Sequence, residues 1–369
     1  MSVPSQDRTF GPTLAIAADL STVVPGLARR VVVRFHCKLA DIDRTGGTVT
    51  REITAAAILA ALFMLQGCSQ KNEISGKEAA GNEPALPAHV VEIRAVGMTF
   101  EGPSEIPSGW TTFKFVNASS MIHFALIDVP PEGITTELFT NSVGQYFQEA
   151  MDGMNANDEA AVNAAFAKFP AWIGDVGRHG GPGLLSPGLT GETTVYMKPG
   201  HYFIECYVKS NGIFHTTSPG EGKVGMMLDL TVTEQQNNAP EPVANATLAI
   251  RNSGMEIVAG ELRPGVNTIR VDFVEQQALP SFVGNDVHLM RVESEESIGL
   301  ADGWLDWRTK EGLEDPSPVV FLGGLNDMPA GSHGYFTVDL QPGDYAFIAE
   351  VPNPAATGFV LRFTVATTS

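Results

Sequence analysis

Three cysteines in 369 residues (Cys37, Cys68 and Cys206) are too few for a disulfide framework. Basic residues are scarce too: 23 Lys and Arg stand against 42 Asp and Glu, a formal net charge of −19. A body this acidic repels a phosphate backbone, which argues against nucleic acid as a partner. No apolar run reaches the length of a membrane-spanning helix; the longest, residues 53–64 (ITAAAILAALFM), stops at about twelve. Gly-x-Ser-x-Gly, His-Glu-x-x-His and Gly-Lys-Ser/Thr are all missing, so the hydrolase, zinc-protease and P-loop templates find nothing. What the chain does have is 38 Gly and 24 Pro among 43% hydrophobic residues. That balance suits many short strands joined by turns, with enough apolar surface to bury a core.

The twelve-residue run follows Arg51 and ends in Leu65-Gln66-Gly67-Cys68. Its length fits the apolar region of a signal peptide. Residues 69–87 are polar and rich in Gly, Ala and Pro, as a tether requires. Leu-x-Gly-Cys resembles the bacterial lipobox, and the resemblance implies cleavage before Cys68, a lipid anchor on that residue, and export to the cell envelope. A signal peptide begins at the N-terminus, so residues 1–48 are expected to be a non-native upstream extension and 49–67 the signal peptide. Residues 1–67 carry seven Lys/Arg and five Asp/Glu, and without them the net charge is −21.

Past the tether (68–88), the pattern is alternating strands. Residues 89–99 alternate, 111–117 follow a turn expected at Pro107-Ser108-Gly109, and 122–129 form another apolar run. A helical excursion interrupts. Phe139, Val143, Phe147 and Ala150 recur at spacings of three and four over 136–151, and Val162, Phe166 and Phe169 do so over 158–169, behind a capping Asn157. Strands resume at 193–198, 201–208 and 226–233. After a linker, 235–244, the pattern repeats. Lys198-Pro199-Gly200 finds a counterpart in Gln341-Pro342-Gly343, His123 in His288, and Cys206 in Ala349, with a shorter helix expected at 298–310. Two copies of one β unit, 89–234 and 245–369, account for the length.

His123, Cys206 and His215, with Met226 and Met227 close behind, make the ligand set of a trigonal His₂Cys copper site with a weak axial thioether. Here the sequence resembles the cupredoxins, the blue-copper family, in Met98-Thr99-Phe100, in Phe115-Val116-Asn117 ahead of His123, and in Gly200-x-Tyr202 through Cys206, His215 and Gly225-Met226. The resemblance implies an all-β fold of two tandem Greek-key β-sandwiches, the first with a helical insertion. It also implies one type 1-like copper held by His123, Cys206, His215 and Met226. From His215 to Met226 is eleven residues where the family's step is usually four or five, with 218–223 apparently inserted. His201 and His179 read as solvent-facing or loop residues, and Met121 as packing.

The second unit has no cysteine and reads as a degenerate copy. Multicopper oxidases need His-x-His pairs and a His-Cys-His; none occurs, and Cys206 lies between Glu205 and Tyr207. The functional expectation is a membrane-anchored, exported copper protein for electron transfer or copper handling. Its expected partner is a basic redox protein such as a c-type cytochrome, and its place the periplasmic face or the outer membrane. The alternative is a metal-free interaction or assembly module on the envelope.

Overall fold

The computed structural model describes residues 88–367, except 218, 221–222, 278 and 280–281. Cys68, the signal segment, the tether up to residue 87 and the upstream 1–48 lie outside the described residues. No helix among the described residues is long and apolar enough to cross a membrane.

The first half opens with β1 (Val90–Val96), β2 (Thr99–Glu101), β3 (Glu105–Asn117) and β4 (Leu126–Val129). A helical insert follows: α1 (Thr136–Phe139), a π turn at Thr140–Gly144, α2 (Gln145–Asn155) and α3 (Glu159–Phe166). Then come β5 (Gly177–Arg178), β6 (Thr190–Met197), β7 (Gly200–Glu205), the small hairpin β8 (Lys209–Ser210) and β9 (Ile213–Phe214), and β10 (Met227–Gln236). In β1, Val91, Ile93 and Ala95 are buried while Val90, Glu92 and Val96 face out, the two-residue period of a half-buried strand. β2–β1–β3–β6 form one layer and β3–β10–β7–β4–β5 the other. β3 serves both. The expected turn at Pro107-Ser108-Gly109 is instead the hand-over inside β3, with Pro107 and Ser108 pairing to β10 and Gly109 to β6. Gly109 has φ +117°, and a Cβ there would stand 2.5 Å from Asn237 Oδ1, so the bend requires glycine.

The helical periodicities hold, with shifted ends. Asp158, not Asn157, caps α3 by accepting from Ala161 N–H, while Asn157 takes the left-handed conformation at φ +53°. α3 ends at Phe166 rather than 169.

The second half repeats the plan with β11 (Ala246–Arg251), β12 (Gly254–Gly260), β13 (Gly265–Phe273), β14 (Val287–Arg291), α4 (Ser297–Trp304), β15 (Phe321–Leu325), β16 (Ser332–Leu340), β17 (Gly343–Ile348), α5 (Pro354–Thr357) and β18 (Val360–Val365). Its layers are β12–β11–β13–β16 and β15–β14–β17–β18. The helix expected over 298–310 stops at Trp304. Beyond it the chain folds back, Leu313 N–H donating to Trp304 O and Trp304 Nε1–H to Glu314 O. The fold is all-β: two tandem Greek-key sandwiches, the first carrying a helical insertion.

The halves are joined edge to edge. β6 pairs antiparallel with β16 in the register Thr194↔Tyr335, Thr193↔Phe336, Glu192↔Thr337. Thr193 and Phe336 each stand seven residues before the glycine that opens β7 or β17, so equivalent positions meet at a local two-fold. The two inner sheets thereby merge into one. A second seam runs along residues 180–186, where Gly183 N–H donates to Gly324 O, Gly323 N–H to Leu184 O and Ser186 N–H to Phe321 O. The sheet edges that would otherwise be open are covered by each other.

Candidate metal centre

Cys206 directly follows β7, and its N–H donates to Met226 O at 3.2 Å. His215 follows β9 and is held at both ends of its peptide: its N–H donates to Val208 O, and its carbonyl accepts from Met226 N–H at 2.6 Å. His123 is carried by the segment between β3 and β4, which bonds back to Leu185 in both directions. Asn117 at the end of β3 fixes that segment, its side-chain amide donating to Met121 O and Leu185 O, both at 2.8 Å. These tethers bring three residues far apart in sequence to one point. Cys206 Sγ lies 3.5 Å from His123 Nδ1 and 3.8 Å from His215 Nδ1, with all three side chains buried.

A serine hydroxyl faces the outer nitrogen of each ring. Ser119 Oγ donates its one hydrogen to Met121 O at 3.1 Å, so towards His123 Nε2, 2.8 Å away, it can only accept. Ser210 Oγ stands 3.2 Å from Met121 Sδ and 2.9 Å from His215 Nε2. With its proton on Nε2, facing the serine, each ring turns the Nδ1 lone pair to the sulfur. Burial holds the His123 imidazolium down to about 4 and the His215 imidazolium down to about 3, the second also repelled by His123. Burial pushes the Cys206 thiol up to about 12. The metal-free trio is thus a thiol and two neutral imidazoles, and a bound cation would take the place of the thiol proton.

The spacing fits a metal. Bonds of about 2.3 Å to a thiolate and about 2.0 Å to an imidazole, at a trigonal 120°, put sulfur and nitrogen about 3.7 Å apart. The observed 3.5 and 3.8 Å straddle that value. Trigonal His₂Cys is the ligand set of a type 1 copper site. Met226 is buried with the same core, and its backbone is bonded to both Cys206 and His215. Met227 turns the other way, joining Phe139, Val143 and Phe203, with Sδ accepting from Thr140 Oγ1. Met121 does more than pack, since its sulfur and carbonyl accept from the two serines. His201 pairs with Asp229 on the surface, and His179 bonds Tyr196 O, both apart from the trio.

Sequence reasoning missed Ser119, Ser210 and two residues that brace the Cys206–His215 loop. Lys209, fully buried, donates from Nζ to the carbonyls of Trp307, Thr309 and Lys310, fastening the loop to the second half. Gln148 of α2 holds it from the other side. Neither spacing nor composition marks such residues, because their partners lie in other elements.

Among the described residues the second half has no counterpart His₂Cys group. Ala349 N–H donates to Phe359 O as Cys206 N–H does to Met226 O, so Ala349 and Phe359 fill the sulfur and methionine positions. The equivalence of His288 with His123 needs correction. His288 pairs with Ile348 at the end of β17, whereas at the end of β7 it is Leu126 that pairs with Glu205. His288 is therefore the counterpart of Leu126, not of His123.

His288 belongs to a second buried group, with Asp286 and Glu350. Leu184 N–H donates to its Nδ1 at 3.1 Å, so the neutral ring is protonated on Nε2, which faces Asp286 Oδ2 at 2.8 Å. A nitrogen bearing a proton has no lone pair for a metal, which separates this group from the His123 site. Burial and the neighbouring Asp286 carboxylate push the Glu350 carboxyl well above its ordinary range. Nearby, Arg178 pairs with Asp128 and Glu205 at the floor of a cavity of about 530 Å³ walled by Val143, Phe147, Phe214 and Trp307.

No family model matches the chain, and no curated protein matches it. Among solved structures, auracyanin A, a blue copper protein of Chloroflexus aurantiacus, is 19% identical over 40% of this chain and 99% of that one, at a TM-score of 0.23. Auracyanin of Roseiflexus castenholzii is 19% identical over 39% and 97%, at 0.21. A copper nitrite reductase from Nitrosomonas europaea is 10% identical over 76% and 95%, at 0.19. TM-scores this low carry no weight here, and the fold described above rests on strand order and register alone.

Proposed function

We propose that this chain is an exported, lipid-anchored copper protein of the bacterial envelope, serving electron transfer or copper handling. His123, Cys206 and His215 hold the one copper in the first sandwich, and Met226 is its weak axial ligand. The observation that carries this reading is the convergence of a buried thiol and two ring Nδ1 atoms, each ring facing a serine hydroxyl at Nε2. When bound, copper supplies one-electron redox chemistry. The chain's own part is to exclude water, to keep both rings neutral, and to hold three donors in place from three separate segments, so that little moves when the charge changes. The acidic surface selects a basic redox partner, with association that slows as salt rises.

Copper stoichiometry and the visible spectrum of wild type against Cys206→Ser test the site. Wild type is expected to take one copper and show an intense thiolate-to-copper band; the serine variant, with a hard and weakly acidic donor, is expected to lose both. Equal copper retention would make Cys206 a core residue and transfer the reading to a metal-free interaction module. Membrane retention and processing in Cys68→Ser test the anchor, and both should be lost.

A further inference from the structure

We infer that the helical insert is a clamp on the ligand loop, with Gln148 as the positioning residue that sets His215 against Cys206; for copper, this rests on the reading above. Gln148 is buried on α2 and spends its whole hydrogen-bonding capacity. Its Nε2 donates to Asp152 Oδ1 at 2.9 Å and to Gly212 O at 3.0 Å. Its Oε1 accepts from Phe214 N–H at 2.9 Å and Thr217 Oγ1 at 3.4 Å. Three of the four partners bracket His215 in the loop.

The rest of the insert reaches the same loop. Gly144 closes the π turn where a Cβ would stand 2.9 Å from Thr216 O, so only glycine permits this approach. Thr140 Oγ1 accepts from Gly225 N–H and donates to Met227 Sδ. On the opposite side the second half holds the loop, Gly212 N–H donating to Glu314 Oε2 and Lys209 N–H to Leu313 O. The segment carrying His215 is thus held from two sides by elements that carry no ligand. The β8–β9 hairpin is too short to define its own geometry, and the insert supplies what it lacks.

The test is Gln148→Met, which keeps the volume and removes all four hydrogen bonds. Val162→Ala is the control: Val162 packs α3 onto α2 at Gly153. In the metal-free protein, Gln148→Met is expected to speed hydrogen exchange of the Phe214 amide about tenfold, leaving Leu230 in β10 unchanged. In the copper-loaded protein it should shift the thiolate-to-copper band and speed copper loss about tenfold. Val162→Ala, destabilised to a similar Tm, should do neither. Unchanged Phe214 exchange in Gln148→Met, or equal effects in both variants, would overturn the clamp. If wild type takes no copper the copper reading fails by itself, and Phe214 exchange alone decides the clamp.

Discussion

Lys209 offers a sharp quantitative check on the loop's anchoring. Its ammonium is fully buried among the carbonyls of Trp307, Thr309 and Lys310, and burial holds it down to about 8, against the pull of Glu314, Glu311 and Asp306. In the unfolded chain a lysine titrates near 10.4. Between these two values the unfolded state binds more protons than the native one, so stability rises with pH across that window. A gap of roughly two and a half units is worth about 3 kcal/mol. In Lys209→Met the carbonyls lose their donor at every pH, and the pH-dependent gain is lost with the amine. The stability difference between wild type and variant should therefore widen by about 3 kcal/mol from pH 7 to pH 10.5. Urea denaturation followed by tryptophan fluorescence at four or five pH values measures it, since Trp307 packs on Phe214 of the loop. All other titrating groups are common to both proteins and cancel. A difference that stays constant over this range would refute the buried, depressed lysine and the anchoring drawn from it.

Ser119→Ala should remove the hydroxyl that His123 Nε2 faces and weaken copper binding by about tenfold or more, measured by competition with a chelator; unchanged affinity would refute a role for Ser119 in presenting His123. Gly181→Ala should cost more than about 3 kcal/mol, because Gly181 sits at φ +105° and a Cβ would lie 2.2 Å from Ala125 O; a denaturation midpoint near wild type would sink that reading of the 180–186 seam. Burial pushes the Asp327 carboxyl up to about 6, so ionising it costs native stability as pH rises from about 4 to 6. Asp327→Asn should remove that loss, a gain of about 1–3 kcal/mol at pH 7, and equal pH slopes in thermal melts of both proteins would count against it.

Short-range pattern settled much of this protein from sequence. Apolar alternation in stretches such as Val90–Val96 needs only the two-residue period of a strand, and the Phe139–Val143–Phe147 spacing needs only the helical one. Donor chemistry is likewise written in residue types: one cysteine with a histidine nine residues on, and no cysteine in the second unit. Tertiary structure decided the rest. The pairing of β6 with β16 joins two strands whose pattern says only that they are strands, since edge and centre read alike until neighbours are placed. His288 slipped three positions from the expected match because register comes from backbone pairing across the sheet, and loop length before β14 is free to differ. Lys209 and Gln148 are of residue types usually found at the surface, yet both are buried, because their partners come from elements brought in by the fold. Which nitrogen of His123 and His215 meets Cys206 depends on Ser119 and Ser210, whose roles exist only once the chain has brought a hydroxyl within reach of each ring.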